Sequence, residues 1–188
     1  ALFRLGSHNF RCDLSCSIDL TAPRILSERR RRSLKKAKES VFVTSDQSRL
    51  NEIWNIVENN LARKHNVTAV HSYDDIFQLL IKFPNNIKFY SALIENKIEA
   101  GIILFITNNC WHAQYIASSE IGYKYSALDL VFDTAINEAF SKGIRYFDFG
   151  TSNEASGMIL NDGLYRFKSE FGGGGVIHSF LEISLNKN

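Results

Sequence analysis

Both charge signs and a phenol fall within one stretch of the chain, Arg145 to Gly175 (RYFDFGTSNEASGMILNDGLYRFKSEFGGGG), which carries Asp148, Tyr165, Arg166, Lys168 and Glu170. Groups of these types move protons and neutralise charge that builds up during a transfer reaction. The stretch opens as an alternating strand (Tyr146, Phe147, Asp148, Phe149), breaks at Gly150 into a polar loop, restarts as a helix around Asn161 and stops at a run of four glycines. A strand ending in a loop that feeds a helix is where α/β domains usually place chemistry. No other set of reactive groups competes with it. His112 and His178 lie in strand runs and read as wall residues, and no Ser/His/Asp or Cys/His arrangement stands out. Glycines 172–175 resemble a phosphate cradle, but no Lys-Ser/Thr follows and the helix precedes them, so a P-loop is excluded. They are expected to turn the chain sharply into its last strand.

The rest of the chain must position that stretch. Phe10 to Leu20 alternates as a strand, with Leu14, Cys16, Ile18 and Leu20 on one face. The basic segment after it is a helix with Leu26, Arg30, Leu34, Ala37 and Val41 in one stripe. Arg30 therefore points inward and needs an anion from the protein or from a ligand, while Arg31, Lys35 and Lys38 form a solvated face. A short strand at Val41 to Thr44 leads to a helix with Leu50, Ile53, Trp54, Val57 and Leu61 facing the core, and Ser72 caps another that ends before Pro84. Three apolar or alternating runs from Lys88 to Ser118 read as an antiparallel meander, with Gly101 marking a bulge or a close backbone approach. Ser118 to Tyr125 reads as a polar loop, and the helix SALDLVFDTAINEAFSKG follows, stopped by Gly143. Val176 to Leu185 closes the chain as a strand. The order implies a mixed, mainly antiparallel sheet with helices on both faces.

A chain of 188 residues accommodates one domain with a sizeable core, and 45% hydrophobic residues with a net charge of +2 describe an ordinary globule with no global signal for nucleic acid. The three cysteines Cys12, Cys16 and Cys110 match no zinc spacing and suit reduced thiols. No apolar run approaches the roughly 20 residues of a membrane span, so a cytoplasmic protein is expected.

The element order and the C-terminal motifs resemble the GNAT superfamily of N-acetyltransferases, through Asn161, Tyr165 and Phe171-Gly172. Within it the chain is most similar to the Fem-type aminoacyltransferases of peptidoglycan bridges. Those enzymes carry a basic helix with paired arginines, a strand ending F-D-x-G, and the run G-L-Y-x-F-K followed by F-G. Here Arg31-Arg32 stands with Lys36-Ala37 and Lys38, then Phe147-Asp148-Phe149-Gly150, then Gly163-Leu164-Tyr165-Arg166-Phe167-Lys168 with Phe171-Gly172. Fem-type enzymes are built from two such domains in tandem, so the chain is either a single GNAT-like domain on its own or one half of a pair.

The resemblance implies acyl transfer from an activated donor to a primary amine through a tetrahedral intermediate. The donor is acetyl-CoA or another acyl-CoA, or else an aminoacyl-tRNA; the acceptor is a small-molecule or cell-wall-precursor amine, and a homodimer stays open. CoA-using relatives hold the pyrophosphate with R/Q-x-x-G-x-G/A ahead of a helix, where free amides attract the anion. Ser119, Gly122 and Lys124 stand at those places, so only the first glycine is kept, and Gly122, Lys124, Ser126 and Asn161 are the expected cofactor contacts. Tyr165, with a reference pKa of about 10, is the expected leaving-group acid. Alternatively it packs on the sheet with its hydroxyl at the surface. Lys168, on the same helical face, neutralises developing charge or pairs at the surface with Glu170 or Glu154. Asp148 takes the amine proton or caps its loop, while Arg30 and Arg166 are expected to meet the substrate. A catalytically silent ligand-binding domain of the same fold is the remaining alternative.

Overall fold

The computed structural model describes residues 2–65 and 69–184. In chain order its elements are β1 (His8–Asp19), α1 (Glu28–Ala37), β2 (Phe42–Thr44), α2 (Leu50–His65), α3 (Tyr73–Lys82), β3 (Ile87–Ile94), β4 (Lys97–Ile106), β5 (Cys110–Ser118), α4 (Glu120–Lys124), α5 (Ala127–Ser141), β6 (Tyr146–Thr151), β7 (Asn153–Glu154), β8 (Ile159–Leu160), α6 (Asp162–Ser169) and β9 (Gly174–Glu182). Seven strands form one sheet in the order β2-β3-β4-β5-β6-β1-β9. Every neighbouring pair is antiparallel except β5 with β6. Helix α5 is the crossover that makes that pair parallel, as a strand–helix–strand unit must.

The hydrophobic stripes read from the sequence bury on opposite faces. Helices α1, α5 and α6 cover one face through Leu34, Phe132 and Phe167, which meet Phe147, Phe149 and Phe171. Helices α2 and α3 cover the other through Ile53, Trp54 and Ile76 against Phe89, Ile103 and Tyr115. Local chemistry sets the helix starts. Ser72 accepts from the Asp75 amide while Asp75 accepts from the Ser72 amide, and Ser27 accepts from the Arg30 amide. No helix among the described residues is long and apolar enough to cross a membrane.

Three local expectations are revised, and the alternative left open at Gly101 is settled. Residues 120–124 form the short helix α4 rather than loop, because Ser119 caps it by accepting from Gly122. Gly101 makes no bulge; a Cβ there would stand 2.8 Å from Ile53, so it marks a close approach of α2 to the sheet. Bulges lie instead at Glu99 of β4, left over where Ala92 pairs with Ala100 and Leu93 with Ile98, and at Gln114 of β5, left over where Leu104 pairs with Ala113 and Ile103 with Tyr115. Gly174 and Gly175 belong to β9, an edge strand exposed along its whole length, and a small hairpin of β7 and β8 fills the loop ahead of α6.

Arg30 ties the layers together. Only 3% exposed, it meets Asp129 of α5, donates to the Phe167 carbonyl at 2.9 Å and to Glu170 at 3.4 Å, and lies 4.1 Å from the Phe171 ring centre. Its anions come from the protein, which makes it a structural residue and removes the reason to expect it at the substrate. Burial pulls its guanidinium down, and the Asp129 carboxylate pulls it back up. Arg30→Met leaves the buried Asp129 carboxylate without its cation, while Glu170 keeps Arg29 and Arg166. It should lower unfolding free energy by about 3–5 kcal/mol in urea titration; a loss under about 1 kcal/mol would show that the node is dispensable.

Candidate active site

Strands β5 and β6 pair over only three positions, Cys110 with Tyr146, Trp111 with Phe147 and His112 with Asp148. Beyond that point the bulge at Gln114 redirects β5, and Gly150, at φ +73°, turns β6. The sheet parts there around a cleft of about 970 Å³. His112 and Gln114 line it from β5, Asp148 and Gly150 from β6, and Phe167 and Lys168 from α6. The β5 edge beyond His112 has no β6 partner, so its backbone groups on that side face the cleft.

At the fork His112 and Asp148 form a bonded pair, with Nδ1 to Oδ2 at 2.6 Å. Asp148 is fully engaged: Oδ1 accepts from the Ser17 hydroxyl at 2.6 Å, and Oδ2 also accepts from the Gly150 amide at 3.2 Å. Burial pushes this carboxyl up, but the bonds from His112 and Ser17 outweigh it and hold it below the ordinary carboxylate range. An anionic Asp148 fixes the ring with hydrogen on Nδ1, which leaves the Nε2 lone pair for a substrate. Nε2 has no protein partner among the described residues. Asp148 therefore holds the ring in place, with both of its oxygens already bonded within the protein.

Lys168 comes to the same place from α6. It is 2% exposed, and its ammonium donates to the Thr151 carbonyl at 2.6 Å and the Gly150 carbonyl at 3.1 Å. It is neither at the surface nor paired with Glu170 or Glu154. Burial brings it down to about 8, against the upward pull of the Asp148 carboxylate. Burial likewise pushes Cys16 up to about 11, so that thiol stays neutral.

The other expected site residues lie elsewhere. Tyr165 lines neither this cleft nor its neighbour; it packs at the edge of the core, and a Cβ on Gly175 would stand 2.9 Å from its hydroxyl. Arg166 is exposed and donates to Glu170 at 3.3 Å. Asn161 caps α6, accepting from the Leu164 amide at 2.9 Å. Gly122 is pressed against β4, where a Cβ would lie 2.3 Å from the Glu99 carbonyl, and its amide is spent on Ser119. Lys124 is exposed with its ammonium 5.6 Å from the Tyr125 ring centre, and Ser126 precedes α5 in the left-handed region at φ +56°. The first turn of α5 already carries Asp129. Its carboxylate is paired with Arg30, and no side chain caps α5 at Ser126. Gly122, with its amide bonded to Ser119, has none to offer a pyrophosphate. His112 escaped the sequence reading because its partner is 36 positions away; the available signal was a His and a Gln alternating among small and aromatic neighbours.

Residues 27–169 match the sequence model of the acetyltransferase (GNAT) domain family, and the chain belongs to that family. It is an acyltransferase domain with the family's splayed mixed sheet. Among solved structures, FemX superposes with a TM-score of 0.73 at 13% identity, over 93% of this chain and 64% of its own. L-PGS from Bacillus licheniformis gives 0.68 at 15% identity, over 99% of this chain and 64% of that one. The C-terminal domain (DUF2156) of an Agrobacterium fabrum protein described as a lysylphosphatidylglycerol synthetase gives 0.67 at 17%, over 95% and 61%. The chain thus spans less than two thirds of each, and at these identities the likeness is one of fold. No curated protein matches the chain in sequence.

The buried ammonium predicts a pH signature. With a folded value of about 8 against an unfolded value near 10.4, the unfolded chain holds more protons between those limits. Stability therefore rises with pH across that window, by up to about 3 kcal/mol from this group. Subtracting the pH–stability curve of Lys168→Met from that of the unaltered protein should isolate this rise; parallel curves from pH 8 to 10.5 would contradict it.

Proposed function

We propose that the domain transfers an aminoacyl group from a ribose ester, as carried by an aminoacyl-tRNA, to a primary amine in the cleft between β5 and β6. The observation that carries the reading is the His112–Asp148 pair at the fork of the sheet, with Nε2 left for a substrate. An amine can attack a carbonyl only as the free base. Nε2 takes its proton as the new C–N bond forms, and Asp148 stabilises the imidazolium that results. The tetrahedral oxyanion is met by amides of the open β5 edge, in the field of the Lys168 ammonium behind the wall. When the C–O bond of the ester breaks, the imidazolium returns the proton to the departing ribose oxygen. One group thus serves as base and then as acid, and no phenol is required.

Acetyltransferases of this family generally take an acyl-CoA. In this chain the Gly122 amide is spent on Ser119 and Gly122 is pressed against the Glu99 carbonyl, which supports a donor without a pyrophosphate. The resemblance to Fem-type enzymes supports the same donor and an acceptor amine such as that of a cell-wall precursor.

Two measurements test the reading. His112→Ala should lower kcat by about 10²–10⁴ with the donor KM little changed; full activity in that variant would remove the assigned base. Aminoacylated tRNA should raise the melting temperature by mass action while acetyl-CoA does not, and the reverse pattern would return the donor to coenzyme A.

A further inference from the structure

Strands β1 and β9 bring together three side chains that the chemistry at the fork leaves unused. Residues opposite one another in an antiparallel pair share a face, and here Asp13 stands opposite His178 and Ser15 opposite Val176. His178 reaches Ser15 on the diagonal, with Nε2 3.0 Å from the serine hydroxyl. The other contact of that hydroxyl, to the Val176 carbonyl, is 3.5 Å long. A bond of that length is marginal for a hydroxyl, so its hydrogen goes to Nε2 and the ring carries its own hydrogen on Nδ1.

Asp13 is fixed beside this pair. Its two oxygens take the Arg11 guanidinium at 2.8 and 2.6 Å, and Arg11 in turn lies 4.7 Å from the Phe180 ring centre. Those bonds hold the carboxyl below the ordinary carboxylate range. Gly157, at φ +90°, closes over it, and a Cβ there would stand 2.5 Å from Asp13 Oδ1. The anion is thus locked next to the imidazole, where it favours the protonated ring. Ser15 is only 1% exposed, yet it borders both the cleft, which Asp13 and His178 also line, and a second concavity of about 1020 Å³. A serine hydroxyl bonded to an imidazole that stands beside a carboxylate is the arrangement that turns an alcohol into a nucleophile.

We propose that Ser15 is a second reactive centre of the domain, with His178 as its base, and that it hydrolyses short-chain acyl esters of phenols and alcohols. This activity goes beyond the amine transfer assigned to His112. The serine Oγ bonds to the ester carbonyl carbon as its proton passes to His178 Nε2. The C–O bond to the alcohol then breaks, the proton leaves with the alcohol oxygen, and the acyl group stays on Ser15. Water attacks this acyl-serine and gives a proton to Nε2; the bond to Oγ breaks, the proton returns to Oγ and the free acid departs. No amine takes part in the cycle.

p-Nitrophenyl acetate is the probe. The unaltered protein should release nitrophenolate and, when quenched with acid during turnover, carry an acetyl group on the peptide that contains Ser15, read by mass spectrometry. Ser15→Ala should lose that adduct, and Ser15→Ala and His178→Asn should each lower hydrolysis by about 10²-fold or more. His178 lies on the exposed edge strand, so its replacement tests the base without disturbing the core. Acetyl groups found only on lysines or on the exposed Cys12, or hydrolysis unchanged in both variants, overturn the proposal. The readout needs no acceptor amine, so a negative result here leaves the transfer reading standing, and failure of amine transfer leaves this one.

Discussion

A strand that leaves its neighbour strips backbone carbonyls of their donors, and leaving such groups buried and bare costs about 1–3 kcal/mol each. Strand β6 meets that constraint where it parts from β5, and Lys168 resolves it by donating to both Gly150 and Thr151. The ammonium stands in for the missing ladder and allows the sheet to stay open inside a packed core. Its own burial is unfavourable, which is why its proton is held loosely. The cleft and the exposed β5 edge follow from that opening, and the last paired rung before it sets His112 opposite Asp148. The motif lysine thus has a structural reason to exist before any catalytic one.

Arg30 supplies the complementary restraint from behind. By joining Asp129 of α5 to Glu170 and the Phe167 carbonyl at the end of α6, it fixes the helix that carries Lys168. The same ion pair ties α1 to the first turn of α5, so three helices on one face of the sheet are held at a single buried guanidinium.

The sequence disclosed what repeats along the chain and concealed what only folding brings together. Stripes such as Leu50, Ile53, Trp54 and Val57 announce themselves by spacing, and the F-D-F-G strand end and the G-L-Y-R-F-K run pointed to the stretch that holds Asp148 and Lys168. Within that run the ranking of residues did not carry over. Spacing places Tyr165 and Lys168 on one helical face, yet a face is wide enough to hold one over the sheet edge and the other behind the cleft. His112 and Ser17 reach Asp148 from strands 36 and 131 positions away, pairings that no local pattern records. The glycine run read as a turn because glycine signals freedom; its strand role depends on Tyr165, whose hydroxyl claims the space over Gly175.

The central claim is that acyl transfer takes place at the fork of the sheet, with the imidazole of His112 carrying the proton. A crystal structure with a stable tetrahedral analogue, a phosphonamidate joining an aminoacyl group to an alkylamine, tests it most directly. The account predicts the tetrahedral phosphorus between β5 and β6, with the nitrogen substituent within hydrogen-bond reach of His112 Nε2 and an oxygen against the β5 edge. An analogue seated beside Tyr165, or at the start of α5 and away from His112, would contradict it.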